Sequence, residues 1–323
     1  MDDVTVCVGT AGMSVWFSDD KGETWTRPYS ESGLYLESRV WSLADHPDRP
    51  GEVLAGTDLG LYRTKLAEKT WTHLPSPMDD KQIWALAIAP WDPDLILAGT
   101  QPAGIFRSTD GGRTWAAAEG TFAEACIFVH KPRVTQILFD PEVRGRVWCG
   151  IEIDGIHRSD DGGATWTKVA GEGLVSEDIH GIAVTIEGGR RLWAATNKGF
   201  HVSTDEGATF SFRQLDAPSQ YTRSVLTRAD GEGVMFLTSG NGPPGDNGRL
   251  LRSTDRAETW QDAGLPGPLN STPWCVASHK ADPNLLFCAS NLGQLFRSTD
   301  GGSSWTKLAR ELGEVRTILW APR

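Results

Sequence analysis

Short stretches of alternating apolar and polar residues, separated by turn-forming residues, recur along the whole chain. In the clearest copy, residues 83–118, an apolar stretch IWALAIAP is followed by LILAGT, IFRS and WAAA, with the turns WDPD, QPAG and TDGGRT between them. Short apolar runs bounded by turn signals predict β-strands. Four such strands in succession predict one antiparallel sheet per copy.

The turn between the third and fourth strands has the most regular sequence. FRSTDGGRTW at 106–115 returns at 17–25, 157–166, 201–210, 251–260 and 296–305, and in a degenerate form at 62–71. A period of roughly 45 residues is typical of repeat architectures. The turn is expected to be held by carboxylates that accept backbone N–H groups, with Thr and Trp starting the next strand. The candidate acceptors are Asp110, Asp160, Asp205, Asp255 and Asp300.

The two ends of the chain complete the number of sheets. Six full copies have first strands beginning at 40, 83, 134, 179, 222 and 273. The chain opens directly on a second strand, residues 4–10, and closes on a lone first strand, residues 315–323. Pairing of these strands would close a ring. We therefore predict an all-β fold: a seven-bladed β-propeller of four-stranded antiparallel blades, forming a single domain over residues 1–323 and closed by pairing of the C-terminal strand with the N-terminal blade.

The S-x-D-x-G-x-T-W phrase resembles the Asp-box, and nearly the whole chain resembles the BNR/Asp-box β-propellers. That group includes sialidases, xyloglucanases, sortilin-type receptor domains and photosystem II assembly factors. The resemblance implies the propeller fold but no particular activity, because these boxes lie on the outer side of the blades. Sialidases carry an Arg-Ile-Pro motif that is absent here, xyloglucanases use two propellers with a cleft between them, and the assembly factors are single seven-bladed rings.

Charge and composition narrow the classes of partner. The net charge of −11 argues against a nucleic-acid partner, because phosphate binding requires a basic face. The sequence has no signal-peptide pattern and no apolar run of membrane-spanning length, so we expect a soluble, cytoplasmic protein with no membrane partner. The five cysteines show no CxxC spacing and are expected to be core residues.

Polar and aromatic residues gather where the first strands begin, the face on which propellers usually bind ligands. The second residue of each first strand gives a ring of seven: Trp41, Trp84, Thr135, His180, Arg223, Trp274 and Arg316. Two residues earlier lies a second tier: Arg39, Gln82, Arg133, Asp178, Tyr221, Thr272 and Glu314. These residues either plug a water-filled channel or form a pocket. In a pocket, Trp41, Trp84 and Trp274 would stack on a ligand while Arg39, Arg133, Arg223 and Arg316 bind its anionic group.

Candidate catalytic residues lie in the fourth to sixth blades. His130 and His180 are expected to approach Glu152 and Asp178 around the axis and to form an acid–base set. A metal ion held by His130, His180 and Glu152 is a weaker alternative, and the sequence requires no cofactor. Resemblance to sialidases adds Tyr221, which with Glu152 would imitate their Tyr–Glu pair.

Two functions remain open at this point. The first is a pocket for a small anionic or aromatic, sugar-like ligand or glycan, with hydrolase or lyase activity of a glycosidase type. The second is a non-enzymatic scaffold or assembly factor that binds a protein partner. A deep polar pocket would favour the enzyme, and an exposed apolar rim would favour the scaffold.

Overall fold

The computed structural model describes residues 3–46, 48–126 and 130–323, and it shows a seven-bladed propeller built entirely from antiparallel sheets. Within these ranges there is no helix that is long and apolar enough to cross a membrane. The predicted fold class is confirmed.

The blades follow one another along the chain, except for the first. Blade 1 contains β1 (Val4–Thr10), β2 (Val15–Ser18) and the last strand, β27 (Val315–Pro322). Blades 2 to 4 contain β3 (Val40–Asp45), β4 (Glu52–Thr57), β5 (Gly60–Lys65), β6 (Trp71–Leu74), β7 (Gln82–Ala89), β8 (Asp92–Gln101), β9 (Ile105–Ser108), β10 (Ala116–Ala117), β11 (Val134–Phe139), β12 (Val147–Ile151), β13 (Gly155–Ser159) and β14 (Thr167–Lys168). Blades 5 to 7 contain β15 (Ile179–Thr185), β16 (Arg191–Thr196), β17 (Gly199–Ser203), β18 (Ser211–Arg213), β19 (Tyr221–Thr227), β20 (Met235–Gly240), β21 (Arg249–Ser253), β22 (Gln261–Asp262), β23 (Pro273–Ser278), β24 (Leu286–Ser290), β25 (Leu295–Ser298) and β26 (Thr306–Lys307).

The hydrophobic core lies between neighbouring blades. Between blades 1 and 7, for example, Val6 and Trp320 pack against Phe287 and Leu295, and all four side chains are almost fully buried. Second strands such as β12 are buried along their whole length because both faces of the sheet meet a neighbour. Each blade therefore depends on the two beside it for burial of its apolar residues.

The ring closes through β1 and β27, as the sequence predicts. The two strands are antiparallel partners from Val4 opposite Pro322 to Val8 opposite Ile318. The fourth strand of blade 1 is reduced to a single bridge, in which Phe17 and Thr26 exchange two backbone hydrogen bonds of 2.8 Å. Closure removes the unpaired strand edges that an open ring would expose.

The repeated turn is held by its carboxylate. Asp110 accepts the backbone N–H of Thr114 at 2.9 Å and the Thr114 hydroxyl at 2.6 Å, and it also accepts the N–H of Arg113 at 2.9 Å. These hydrogen bonds, with that of the Thr114 hydroxyl first, hold the pKa of Asp110 well below its usual range. In five of the copies the fourth strand begins after the closing aromatic residue and does not include it; Trp71 in blade 2 is the exception.

The predicted acceptor of the fourth blade is wrong. Asp161, and not Asp160, accepts the N–H of Thr165 at 2.9 Å and of Ala164 at 3.0 Å. The two adjacent aspartates make the sequence ambiguous by one residue, and the hydrogen bond from Ser159 to Asp161 fixes the register. Asp160 instead pairs with arginines outside the turn.

We predict that truncation at Glu314, which removes β27, abolishes cooperative folding, because the inner edge of β1 loses its whole partner strand. A chain that ends at Pro322 is the control, since it loses only Arg323 and its ion pairs with Asp3 and Asp19. Size-exclusion chromatography and thermal unfolding measure both. A monomeric truncated chain with the full-length melting temperature would disprove the closure.

The two aspartates of the fourth blade give a paired test of the turn. Asp161→Ala should lower the free energy of unfolding by about 1–2 kcal/mol, because backbone donors lose a charged acceptor that is partly solvated. Asp160→Ala should cost at most about 0.5 kcal/mol, because it removes only exposed ion pairs. Urea unfolding measures both, and equal losses would contradict the assignment.

Candidate functional site

A β-bulge marks the start of every first strand. In five blades the residue after the first pair has no partner on the second strand, and in β7 and β19 the unpaired position follows the second pair. The bulged residues include the whole predicted ring: Trp41, Trp84, Thr135, His180, Arg223, Trp274 and Arg316. A bulge bends its strand and re-aims the side chain. Seven bulges at one level therefore build a shared cluster at the first-strand face.

Aromatic and guanidinium groups stack inside this ring. Trp41 and Trp84 lie nearly parallel, with ring centroids 4.0 Å apart. The guanidinium of Arg133 covers Trp84 at 4.1 Å, and that of Arg316 lies 5.5 Å from Trp41 and 5.2 Å from Trp274. An aromatic face attracts a cation at these distances, and the attraction is stronger when both groups are shielded from water. We call this group, with Arg223, the tryptophan–arginine stack.

The arginines of the stack differ in their acidic partners. Arg133 donates to Glu152 at 2.8 Å, and Arg316 pairs with Glu314. Arg223 lies 3.8 Å above the Trp274 ring, and within the described ranges no carboxylate comes within ion-pair distance of it. Arg223 is therefore the guanidinium whose charge is least compensated.

The stack concentrates positive charge in a partly buried space. Burial, followed by the charges of Arg223 and Arg133, lowers the pKa of Arg316 to about 9. Burial and the charge of Arg223 also lower the pKa of Arg133. The positive charges of neighbouring guanidinium groups therefore repel each other, and an anion bound at this level would reduce that repulsion.

Asp178, His180 and Tyr221 form a polar group beside the stack. His180 Nδ1 lies 2.8 Å from the Thr222 carbonyl, which only accepts, so Nδ1 carries a proton. The other ring nitrogen, Nε2, lies 3.4 Å from Asp178 Oδ2, and the ring of Tyr221 packs 5.0 Å from that of His180. Nε2 is therefore the atom at which His180 gains or loses a proton, and Asp178 faces it.

The two carboxyl groups of the site have opposite pKa shifts. Burial raises the pKa of Glu152, against the charge of Arg133 and with help from Asp178. Burial acts in the same sense on Asp178, but its hydrogen bond with His180 and the charges of Arg223 and Arg133 hold its pKa below the usual range. The raised pKa suits Glu152 to donate a proton, and the lowered pKa suits Asp178 to remain ionised.

His130 does not join this group. Its side chain is exposed, and no hydrogen bond or ion pair of the described residues links it to His180, Glu152 or Asp178. It lies at a positive φ of 63°, where its backbone bridges back to Cys126 within the insertion. The described residues contain no cluster of three or more His, Cys, Asp or Glu suited to a metal ion, so the alternative ligand set His130, His180 and Glu152 is not assembled.

We call the opening ringed by the seven bulged residues the funnel, and the tryptophan–arginine stack fills its floor. Trp41 and Trp274 are only 8% and 5% exposed. A cavity of about 520 Å³ lies elsewhere, between the outer turns of blades 4 and 5, lined by residues such as Arg158, Asp160 and Glu206. The burial of these rings agrees with the plug interpretation, and a binding surface above them stays a prediction.

One supporting residue, Gln101, is missing from the residues that the sequence analysis names. Gln101 and Gln82 both accept the Trp84 Nε1–H, at 3.1 and 3.2 Å, and fix the plane of that ring. Gln101, the last residue of β8, occupies the repeat position of Glu152, so the repeat register could have identified it. Arg39 lies at the rim with an exposed side chain, so it can reach only a ligand that extends over the edge of the funnel.

Comparisons with known proteins agree with this architecture. A scan against protein-family models found no match. The chain is similar to xyloglucanases. It is 25% identical over 317 residues to a xyloglucanase of Hypocrea jecorina (strain QM6a), covering 81% of this chain and 38% of that protein. It is 26% identical over 310 residues to a xyloglucanase of Paenibacillus sp, covering 79% and 30%. The chain therefore spans about a third of the length of these relatives.

A second kind of relative is named as an assembly protein. The chain is 28% identical over 125 residues to the photosystem II assembly lipoprotein Ycf48 of a Synechococcus strain (CC9902), covering 38% of this chain and 35% of that protein. Among solved structures, the GH74 xyloglucanase of Xanthomonas campestris superposes with a TM-score of 0.63 at 24% identity, covering 83% of this chain and 45% of that one. YCF48 bound to D1 peptide superposes with a TM-score of 0.54 at 15% identity, covering 83% and 84%. These likenesses show the fold.

The coupling between Arg223 and the polar group is directly measurable. In the wild type the positive charge of Arg223 disfavours the imidazolium of His180 and favours the carboxylate of Asp178. Arg223→Gln removes this charge and should therefore raise the pKa of both groups. Burial is the main cause of the lowered pKa of His180 in the folded protein. The free energy of unfolding should therefore decrease as the pH falls below about 6.5, the pKa of histidine in the unfolded chain.

NMR titration of the His180 ring measures this effect and also reports the Nδ1–H tautomer. Arg249→Gln serves as the matched control, because Arg249 belongs to the same blade but pairs with Asp262 on the outer strand. An unchanged His180 pKa in the Arg223 variant, or an Nε2–H tautomer, would contradict the geometry.

Proposed function

We propose that the protein binds a glycan across the tryptophan–arginine stack and hydrolyses a glycosidic bond there. One observation carries this proposal: Glu152 and Asp178, whose pKa values are displaced in opposite directions, lie beside flat aromatic faces at a single funnel. Aromatic faces bind the apolar faces of sugar rings, and paired carboxyl groups are the usual machinery of glycoside hydrolysis.

The chemistry assigns a role to each group. Glu152, protonated, gives its proton to the glycosidic oxygen as the bond to the anomeric carbon breaks and its electron pair leaves with that oxygen. Water attacks the anomeric carbon, and its proton passes to the Asp178–His180 pair. Return of that proton to Glu152 through solvent completes the cycle, so no oxidant, reductant or metal is consumed.

Surrounding residues support these roles. Arg133 holds Glu152 by one oxygen, Oε1, while Oε2 is buried with no hydrogen-bond partner in the described structure. Asp178 Oδ1 is likewise buried and unpartnered. Tyr221 and Thr222 fix the ring of His180 from two sides. The group is thus held in place while one oxygen of each carboxyl retains unused bonding capacity.

The similarity to xyloglucanases supports a glycan substrate at the level of its class. At about a quarter identity and a third of the relatives' length, it does not name the polysaccharide. The filled floor of the funnel and the fold of YCF48 bound to D1 peptide favour the second candidate, a scaffold that binds a peptide without catalysis.

Reducing-end release from xyloglucan and from polygalacturonate tests the hydrolase. Glu152→Gln and Asp178→Asn should each lower kcat by about 10²–10⁴-fold, because general acid–base catalysis contributes on that scale. The rate should fall as the pH rises through the raised pKa of Glu152 and as it drops through the lowered pKa of Asp178.

Asp160→Asn is the control, because Asp160 lies on the outer side of the ring. Wild-type protein that releases no reducing ends from either polymer, but binds an acidic peptide, would favour the scaffold. Equal rates in the wild type and both site variants would reject these catalytic assignments.

A further inference from the structure

The arginines of the funnel do not all have the same task. Arg133 pairs with Glu152 and Arg316 with Glu314, whereas Arg223 lies over Trp274, shares a hydrogen bond with the Tyr221 hydroxyl and has no carboxylate partner within the described ranges. Arg223 is also half-buried, so its charge is poorly solvated but reachable from the funnel. A partly buried guanidinium without a counter-charge is unfavourable unless something anionic completes it.

Stacking determines which edge of Arg223 is available. A guanidinium 3.8 Å above the Trp274 ring lies against the indole face, and its N–H groups, one of which meets the Tyr221 hydroxyl, lie around its edge. Those N–H groups form a planar fork that matches the two oxygens of a carboxylate. Arg316 lies 5.2 Å from the same Trp274 ring and adds positive potential at this point.

Unpartnered donors extend the pattern. Nε of Arg133, Nε of Arg316 and Nε1 of Trp41 are buried and have no hydrogen-bond partner among the described residues. Donor groups therefore outnumber the acceptors available within the stack. Asp178, whose pKa is lowered, keeps its negative charge beside this space and would repel a dianion such as phosphate more strongly than a monoanion. A single planar negative charge fits both limits.

We propose that the funnel selects an acidic sugar, a uronic-acid residue whose carboxylate pairs with Arg223 while its ring lies on the tryptophan faces. This inference rests on the proposed glycan-binding function and names its substrate class. A peptide C-terminus offers the same carboxylate without a sugar ring, and it is treated as an outcome of the test.

Isothermal titration of the full chain with digalacturonic acid and with the neutral galactobiose tests the selection. Wild type should bind the acidic disaccharide at least about tenfold more tightly, the scale of a charge-assisted hydrogen bond. Arg223→Gln should remove that preference and leave binding of the neutral disaccharide within about twofold. Arg223→Lys retains the charge without the fork and should fall between the two.

Arg249→Gln controls for loss of any one positive charge in blade 6, and melting temperatures verify that each variant folds. Equal binding of the two disaccharides by the wild type, or an unchanged preference in Arg223→Gln, would overturn the inference and leave glycan hydrolysis intact.

Selective binding of digalacturonic acid without reducing-end release would uphold the acidic-sugar site and reject the hydrolase. Binding of a peptide with a free C-terminus but not of its amidated form, with no binding of either disaccharide, would overturn both.

Discussion

Ring closure through β1 and β27 is the constraint on which the other features depend. No blade of this protein buries its apolar residues alone, since each core is shared by two neighbours. A gap between the first and last blades would expose two of those cores together with an unpaired strand edge. Closure also has a functional consequence, because β27 carries Arg316 into the ring and places it among tryptophans from blades 2, 3 and 7.

The bulges bring the side chains of this ring together at the first-strand face. A regular antiparallel ladder would hold each second residue in its pleat, whereas the bulge frees it to turn toward the axis. Side chains released in this way also fasten neighbouring blades: Thr135 Oγ1 donates to the carbonyl of Ile179 at 2.8 Å, and His180 Nδ1 to that of Thr222. The same residues that form the funnel therefore hold its walls together.

The electrostatics of the funnel work against the stability of the fold. Several guanidinium groups and two carboxyl groups share a partly buried space, and the shifts in their pKa values reflect both desolvation and mutual repulsion. Aromatic faces offset part of this cost by accepting the cations. Such an arrangement is typical of a site shaped by binding, because a purely structural plug would be more stable with apolar residues.

The sequence by itself determined the repeat, the number of blades, the pairing of the two ends and the seven residues of the ring, because each follows from spacing along the chain. Spacing along the chain could not decide the positions of some individual residues. Asp160 and Asp161 are equally placed by pattern, and only the hydrogen bonds of the turn distinguish them. From the sequence, His130 and His180 are both expected near the axis, but His130 lies in the insertion at a positive φ and its side chain is exposed. The partners of each arginine and the filled floor were decided by tertiary structure, because they depend on distances between blades that no local pattern encodes.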